Sequence, residues 1–227
     1  MTIAGVFRAT RATSIRLAVL LAAASALTVS CTRYVEAEPV ASADLDSGLA
    51  TGSDAAACEQ VDAPLTDIEA VNDGEPVLRI PQPDGWERYT AMDSELIRFT
   101  MSNSDLATEE FAPTVVVTLE SNSGIEEADV VFEQQLMSLE DGFGATDVSV
   151  SETEMCGLPA ELVEYTTPPM GAVGQLPAQV IMSVLHTDNR TFAVTVTTQT
   201  KDPTNPQYQD DTEQILGGFQ MLPPGQG

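Results

Sequence analysis

The side chains that most often do chemistry in enzymes are scarce in this chain. Its single histidine, His186, lies two residues before Asp188 at a predicted turn, and such a pair could serve as a general base and its orienting acid. A lone histidine in a turn is more often a surface residue. The chain also lacks Gly-x-Ser-x-Gly, a phosphate-binding glycine loop, His-Glu-x-x-His and Cys-x-x-Cys. We therefore expect a protein that is not an enzyme.

Acidic side chains are abundant but do not show the spacing of a metal site. Asp44 and Asp46, in the stretch DLDSG, supply two of the acids of a calcium-binding loop. The third acid and the closing glutamate of that motif are missing. We expect neither a metal site nor a cofactor.

Cys31 stands where a lipid-attachment cysteine would stand. Residues 1–30 contain three arginines and no acid, and residues 17–29 carry no charge. A basic region followed by an apolar run of this length is typical of a signal peptide and too short for an ordinary transmembrane helix. With Ser30 before the cysteine, the segment resembles the lipobox of bacterial lipoproteins, although Thr28 replaces the usual leucine. We predict that Cys31 carries a diacylglycerol and palmitate anchor; an ordinary secreted protein and a signal anchor are the alternatives.

The other two cysteines, Cys58 and Cys156, are expected to form a disulfide. Exported proteins usually pair their remaining thiols. A bond that closes a loop of about 100 residues adds roughly 4–5 kcal/mol in the chain-entropy model. The alternative is a pair of buried free thiols.

The charge of the chain restricts its partners. Nine basic and 35 acidic residues give a formal charge of −26. Three of the basic residues and none of the acids precede Cys31, so six basic and 35 acidic residues remain, a charge of −29. Such a charge repels phosphate backbones and anionic lipid headgroups. We expect no nucleic-acid binding, and a membrane association that depends on the covalent lipid.

Composition divides the chain that follows the signal peptide. Residues 32–57 are rich in Ala, Ser, Asp, Gly and Glu and show no sustained periodicity, which is typical of a flexible stalk. Residues 58–227 carry periodic apolar segments and are numerous enough to form a core. We predict a signal peptide at 1–30, a lipidated cysteine and stalk at 31–57, and one folded domain at 58–227.

Strand and helix patterns in this domain indicate an α+β fold. Alternating or β-branched segments predict seven strands, at 77–81, 96–102, 114–120, 146–155, 160–167, 179–187 and 190–200. Most of the connections are short, so we expect a mostly antiparallel sheet. A capping box formed by Ser123 and Glu126 predicts a helix that ends near Gly142 and Gly144. Pro206 predicts the start of a second helix, and two helices packed on one sheet make an α+β sandwich.

Three segments of the domain carry a family resemblance. VLRIPQPDGWERY, FAPTVVVTLESNSGIEEADVV and GLPAELVEYT, in this order and behind a lipobox, resemble the LpqN/LpqT lipoproteins of mycobacteria and related actinobacteria. The resemblance covers roughly residues 70–222. It implies a domain similar to the Mog1/PsbP fold, an antiparallel sheet packed between helices. It also implies a non-enzymatic envelope protein that handles glycolipids or docks on envelope proteins, and it transfers no catalytic residue.

The long connection at 166–179 is the best candidate for a binding element. It is rich in Pro and Gly and carries Met170, Val173 and Leu176 between two predicted strands. We predict that Met170 and Val173, together with Phe132 and Leu136 of the first helix, contact the acyl chain of an amphiphilic ligand. The alternative is that the loop folds onto the core of its own domain.

Two functions follow from these patterns. The first is a lipoprotein on the extracytoplasmic face of the cell membrane that binds a glycolipid with a neutral headgroup, since the negative charge disfavours phosphates. The second is a docking module for a protein of the cell envelope, without a small ligand. A dry apolar cavity would favour the first, and an exposed apolar patch or an open strand edge would favour the second.

Overall fold

The computed structural model of the protein describes residues 58–226. The predicted signal peptide, Cys31 and the segment 32–57 lie outside these residues. The described part forms two antiparallel sheets and two helices, an α+β architecture as predicted. Its strands are β1 Leu65–Ile68, β2 Val77–Pro81, β3 Glu87–Arg88, β4 Ile97–Ser102, β5 Thr114–Ser123, β6 Thr146–Met155, β7 Leu158–Thr166, β8 Pro177–His186, β9 Arg190–Gln199 and β10 Gln220–Leu222. The helices are α1 Ala128–Met137, continued by a π-helical turn at Ser138–Phe143, and α2 Pro206–Gly217.

The larger sheet has seven strands in the order β3-β4-β5-β9-β8-β7-β6, and every neighbouring pair is antiparallel. All seven predicted strands are present. The strand at 77–81 is β2, however, which pairs with β1 and β10 in a separate three-stranded sheet. β1, β3 and β10 have two to four residues each, and this is too short for an alternating pattern to identify.

The larger sheet separates two apolar clusters. On one face, side chains such as Val117, Ile181 and Val196 pack against α2 and the small sheet. On the other face, Val163, Val180 and Met182 pack against Val131 and Phe132 of α1. Alternate residues of a strand point to opposite faces, so strands such as β7, β8 and β9 contribute to both clusters. We call these the α2 face and the α1 face.

The start of α1 differs from the prediction, and the capping box of Ser123 and Glu126 is wrong. β5 continues through Ser123, which pairs with Arg190 of β9. The backbone N–H of Glu126 donates a hydrogen bond of 2.9 Å to Oγ1 of Thr191. The backbone of Ser123 and Glu126 is therefore engaged with β9 and its first residues, and it is not available to form the capping box. The helix begins at Ala128 without a side-chain cap.

The start and end of α2 agree with the prediction. Asn205 Oδ1 accepts hydrogen bonds from the backbone N–H groups of Gln207 and Tyr208, at 2.9 and 3.3 Å, and Pro206 occupies the first turn. The helix ends at Gly217 and is capped by Gly218. A Cβ atom on Gly218 would lie 2.5 Å from Val61 Cγ2, so close packing of the N-terminal segment requires this glycine.

The predicted disulfide between Cys58 and Cys156 is present, with a Cα–Cα distance of 3.9 Å. Cys156 and Gly157 form the two-residue turn between β6 and β7, and both have positive φ, 51° and 75°. This is the geometry of a type I′ hairpin turn. The bond thus ties the first described residue of the chain to the tip of a hairpin 98 residues later.

Two buried polar contacts connect distant parts of the fold. Nε1 of Trp86, the single tryptophan, donates a hydrogen bond of 2.8 Å to Oδ2 of Asp211 on α2. Arg98 of β4 forms an ion pair with Glu75, with Nη1 3.0 Å from Oε1 and Nη2 2.5 Å from Oε2. Both partners of the ion pair are buried, so it holds the loop before β2 against the larger sheet.

Within residues 58–226, neither helix has the length and hydropathy that a transmembrane helix requires.

Candidate functional site

A groove lies between α2 and the α2 face of the larger sheet, beside β6, β7 and β8. Its volume of about 680 Å³ falls within the range of small-molecule binding sites, roughly 300–1,000 Å³. Apolar side chains form much of its wall: Leu162, Pro177, Ile181, Pro203, Tyr208 and Leu216. The groove therefore offers a surface that an acyl chain or another apolar group could contact.

The elements that build the groove follow from the sequence periodicity. Tyr208, Thr212 and Leu216 are spaced by four residues on α2, so they share the helix face that packs towards the sheet. Across the groove, Glu164 of β7 and Gln179 of β8 are directly paired. Nε2 of Gln179 donates a hydrogen bond of 2.9 Å to Oε1 of Glu164. The two walls are thus fixed by secondary structure before any ligand binds.

The N-terminal segment of the domain completes one wall. Glu59, which follows the disulfide-bonded Cys58, lines the groove and lies near Gly217 of α2. The backbone N–H of Ala63 donates a hydrogen bond of 2.9 Å to Oε1 of Gln214 on the same helix. The disulfide and this hydrogen bond together hold the segment against the end of α2.

The polar side chains of the groove are neutral or acidic. Four carboxylates line the groove, those of Glu59, Asp147, Glu164 and Glu213. No lysine, arginine or histidine is among the lining residues. Hydroxyl and amide groups are also present, from residues such as Thr200, Thr212 and Gln179. These groups suit a neutral hydroxylated headgroup, whereas a phosphate would be repelled by the four carboxylates and would find no positive charge among the lining residues.

Two tyrosines border the groove, Tyr165 and Tyr208, and both side chains are buried. Burial raises the pKa of Tyr165 to about 12. Burial also raises the pKa of Tyr208, and the nearby hydroxyls of Thr198 and Thr212 oppose that effect only in part. Neither phenol would ionise at neutral pH. Tyr208 lies on the α2 face and could donate a hydrogen bond to a ligand in the groove, whereas the Tyr165 side chain belongs to the apolar cluster under α1 on the opposite face of the sheet.

The four residues predicted to bind a ligand lie elsewhere. Phe132 is buried, Leu136 is half-buried, and both belong to the cluster under α1 on the opposite face of the sheet. Met170 and Val173 are half-buried in the loop that joins β7 and β8. None of the four lines the groove. The groove could not be predicted from the sequence, because the residues of α2 that line it have the same helical spacing as residues that pack into a core.

The loop at 166–179 is partly folded onto its own domain. Leu176 is fully buried, and its backbone N–H donates a hydrogen bond of 2.9 Å to Oγ1 of Thr167. This agrees with the alternative in which the loop packs on the core of the domain. The next residue, Pro177, begins β8 and lines the groove.

His186 contacts the backbone of the segment before α1. Its Nε2 lies 2.7 Å from the backbone carbonyl oxygen of Glu126, and the side chain is exposed. This contact ties the end of β8 to the segment before α1. Within residues 58–226 no group of three or more His, Cys, Asp or Glu side chains is placed to hold a metal ion.

Comparisons with known proteins identify the fold. No family model matches the chain, and no curated protein sequence matches it. A crystal structure of LpqN, described as involved in cell envelope biogenesis of Mycobacterium tuberculosis, matches with a TM-score of 0.57 and 17% identity over 70% of this chain and 91% of LpqN. The Ran-binding protein Mog1p of Saccharomyces cerevisiae matches with 11% identity over 69% of this chain and 95% of Mog1p, but its TM-score of 0.42 is too low to support an inference. The chain therefore shares the α+β fold of LpqN.

Proposed function

We propose that the protein is a non-enzymatic lipoprotein of the cell envelope, akin to the LpqN/LpqT lipoproteins, and that its groove binds an amphiphilic ligand with a neutral headgroup. The observation that carries the proposal is the groove itself, which combines an apolar wall with hydroxyl, amide and carboxylate groups and has no basic lining residue. An acyl chain would gain about 25 cal/mol for each Å² of apolar surface that it buries there. The LpqN-like fold and the lipobox-like segment are compatible with an envelope location.

The lipid anchor can be tested by changing the cysteine that would carry it. A Cys31→Ser variant, expressed in an actinobacterial host, is expected to lose all metabolic labelling with a palmitate analogue and to leave the detergent phase. The physical reason is that only a thiol can form the thioether. Cys58→Ser is the matched control and should still be labelled. Labelling that persists in Cys31→Ser would contradict the anchor.

Ligand binding can be tested by filling the groove with one side chain. Gln179→Trp in the unlipidated Cys31→Ser chain places an indole in the groove and is expected to weaken binding of a neutral sugar ester of a fatty acid by about tenfold or more. Methyl chemical shifts of Leu162, Ile181 and Leu216 report binding at ester concentrations below micelle formation. The matched control is Gln199→Trp, because this half-buried glutamine lies on the neighbouring strand but outside the groove.

The headgroup and the position of the site are tested in the same titration. An alkyl phosphate of the same chain length should bind more weakly than the sugar ester, because the groove offers it no positive charge. Shifts confined to Phe132, Leu136, Met170 and Val173 would place the ligand at these residues and not in the groove. Unchanged affinity in the Gln179→Trp variant would contradict binding in the groove.

A further inference from the structure

The four sheet edges of the described domain are unequal in length. In the larger sheet one edge strand, β3, has two residues, while the other, β6, has ten. In the small sheet the edge strands β1 and β10 have four and three residues. Proteins commonly shorten or cover their edge strands, because the free N–H and C=O groups there can pair with another chain. Within residues 58–226, β6 is the one edge strand that is neither short nor covered by another element.

Most of β6 is regular and accessible. Residues 149–155 pair one by one with β7, after an irregularity near Asp147, whose φ is 55°. Eight of the ten residues are exposed, on both faces of the strand, and the apolar Val150 is 43% exposed. β6 has no second strand partner among the described residues. The free edge therefore offers about seven residues of extended backbone to an added strand, which is close to the usual length of a strand.

Three side chains of this edge are acidic, Asp147, Glu152 and Glu154, and β6 carries no basic side chain. Glu152 of β6 lies directly opposite Glu161 of β7, an arrangement that destabilises a sheet. Burial raises the pKa of Glu161, and the negative charges of Glu152 and of Asp129 at the start of α1 raise it further. Oε2 of Glu161 is buried and has no hydrogen-bond partner among the described residues. The described ion pairs involve other acids, so no basic side chain of the domain neutralises this group.

We propose that β6 is a docking edge for an extended segment of a partner protein, and that the segment carries basic side chains at alternate positions. Strand addition would satisfy the free backbone groups of β6, and a basic side chain beside Glu152 would relieve the repulsion with Glu161. Side chains two residues apart on a strand share a face, so Glu154 offers a second acid to the same side of the segment. A second copy of this chain fits poorly, because its β6 would bring acids against acids.

The test uses the full chain and a designed peptide as the probe. A ten-residue peptide that alternates arginine with threonine and valine is titrated at low salt, and backbone amide shifts are followed. We expect shifts concentrated at residues 149–155 and an affinity that falls as salt is added. Glu152→Lys should weaken binding about fivefold, and Glu154→Lys by a similar factor. The same substitution at the opposite edge of the sheet, Glu87→Lys, is the matched control and should leave the affinity unchanged.

Three further measurements can overturn the proposal. A peptide with glutamate in place of arginine should not bind, so equal binding of both peptides would contradict the charge argument. Shifts that map to the groove residues of α2 and β8, or binding that is lost in Gln179→Trp, would assign the peptide to the groove instead of the edge. Self-association of the chain through β6, detected by sedimentation and abolished by Glu152→Lys, would identify a second copy as the occupant and overturn the partner proposed here.

Discussion

Replacing Cys58 and Cys156 together with alanine is expected to lower the free energy of unfolding by about 4–5 kcal/mol. The disulfide closes a loop across a sequence separation of 98 residues, which restricts the unfolded chain strongly. Both cysteines are buried within the larger apolar cluster, so alanine also removes packed sulfur atoms there. Urea unfolding, followed by the fluorescence of Trp86, measures the change, because this is the single tryptophan of the chain.

The third cysteine provides the control for this experiment. Cys31→Ala removes a thiol that is not part of the bond, and we expect it to leave the midpoint of unfolding unchanged. Reducing agent should destabilise the wild-type chain and Cys31→Ala to a similar extent and should not affect the double variant. A loss of less than about 1 kcal/mol in the double variant would show that the bond contributes little, as happens when the unfolded chain remains compact.

Replacing Glu75 with glutamine is expected to destabilise the protein by about 3–5 kcal/mol. The carboxylate accepts hydrogen bonds from Arg98, from the backbone N–H of Val71 at 2.9 Å and from Nδ2 of Asn72 at 2.8 Å. The neutral amide leaves the guanidinium of Arg98 buried without a counter-charge. Glu69→Gln is the matched control, because Glu69 is exposed and contacts Arg98 only through its backbone carbonyl. A double variant with Glu75→Leu and Arg98→Met should recover most of the lost stability, since it buries no charge.

The same carboxylate makes the stability depend on pH. Burial acts to raise the pKa of Glu75, but the hydrogen bonds from Arg98, Asn72 and Val71 and the charge of Arg98 outweigh it and lower the pKa to about 2. The folded state therefore holds this proton less tightly than the unfolded chain does. The stabilisation is complete above the ordinary glutamate pKa and is lost as the pH falls from about 5 towards 2, by about 3 kcal/mol in total. Glu75→Gln should show a shallower dependence in that range, and parallel curves would contradict the assignment.

Local patterns were sufficient for most of the regular structure. Alternation located all seven long or medium strands, and Pro206 with its preceding Asn205 located the start of α2. These signals act over a few residues. The structure agrees with them because the apolar positions that define each pattern are the positions that form the core. The three short strands could not be predicted in this way, because two to four residues are too few for an alternating pattern. The true start of α1 could not be predicted because the pairing of β5 with the distant β9 determines it.

The candidate site was the least predictable part of the protein. The groove depends on the distance between α2 and strands β6, β7 and β8, and no local pattern encodes that distance. Phe132, Leu136, Met170 and Val173 are predicted from their apolar character, and core residues and ligand-binding residues share this character. The opposition of Glu152 and Glu161 likewise depends on the register of a hairpin.

The sequence by itself determined the acidic character of the chain, its seven longer strands, the presence of two helices, and the pairing of Cys58 with Cys156. Composition, periodicity and cysteine number express these properties without reference to distant neighbours. The tertiary structure alone decided that β2 joins a second sheet, that the groove opens on the α2 face, and that β6 remains an open edge. The physical reason is that each of these features depends on elements that are far apart in the sequence. The relative placement of those elements follows from the burial of both faces of the larger sheet, and no single segment encodes it.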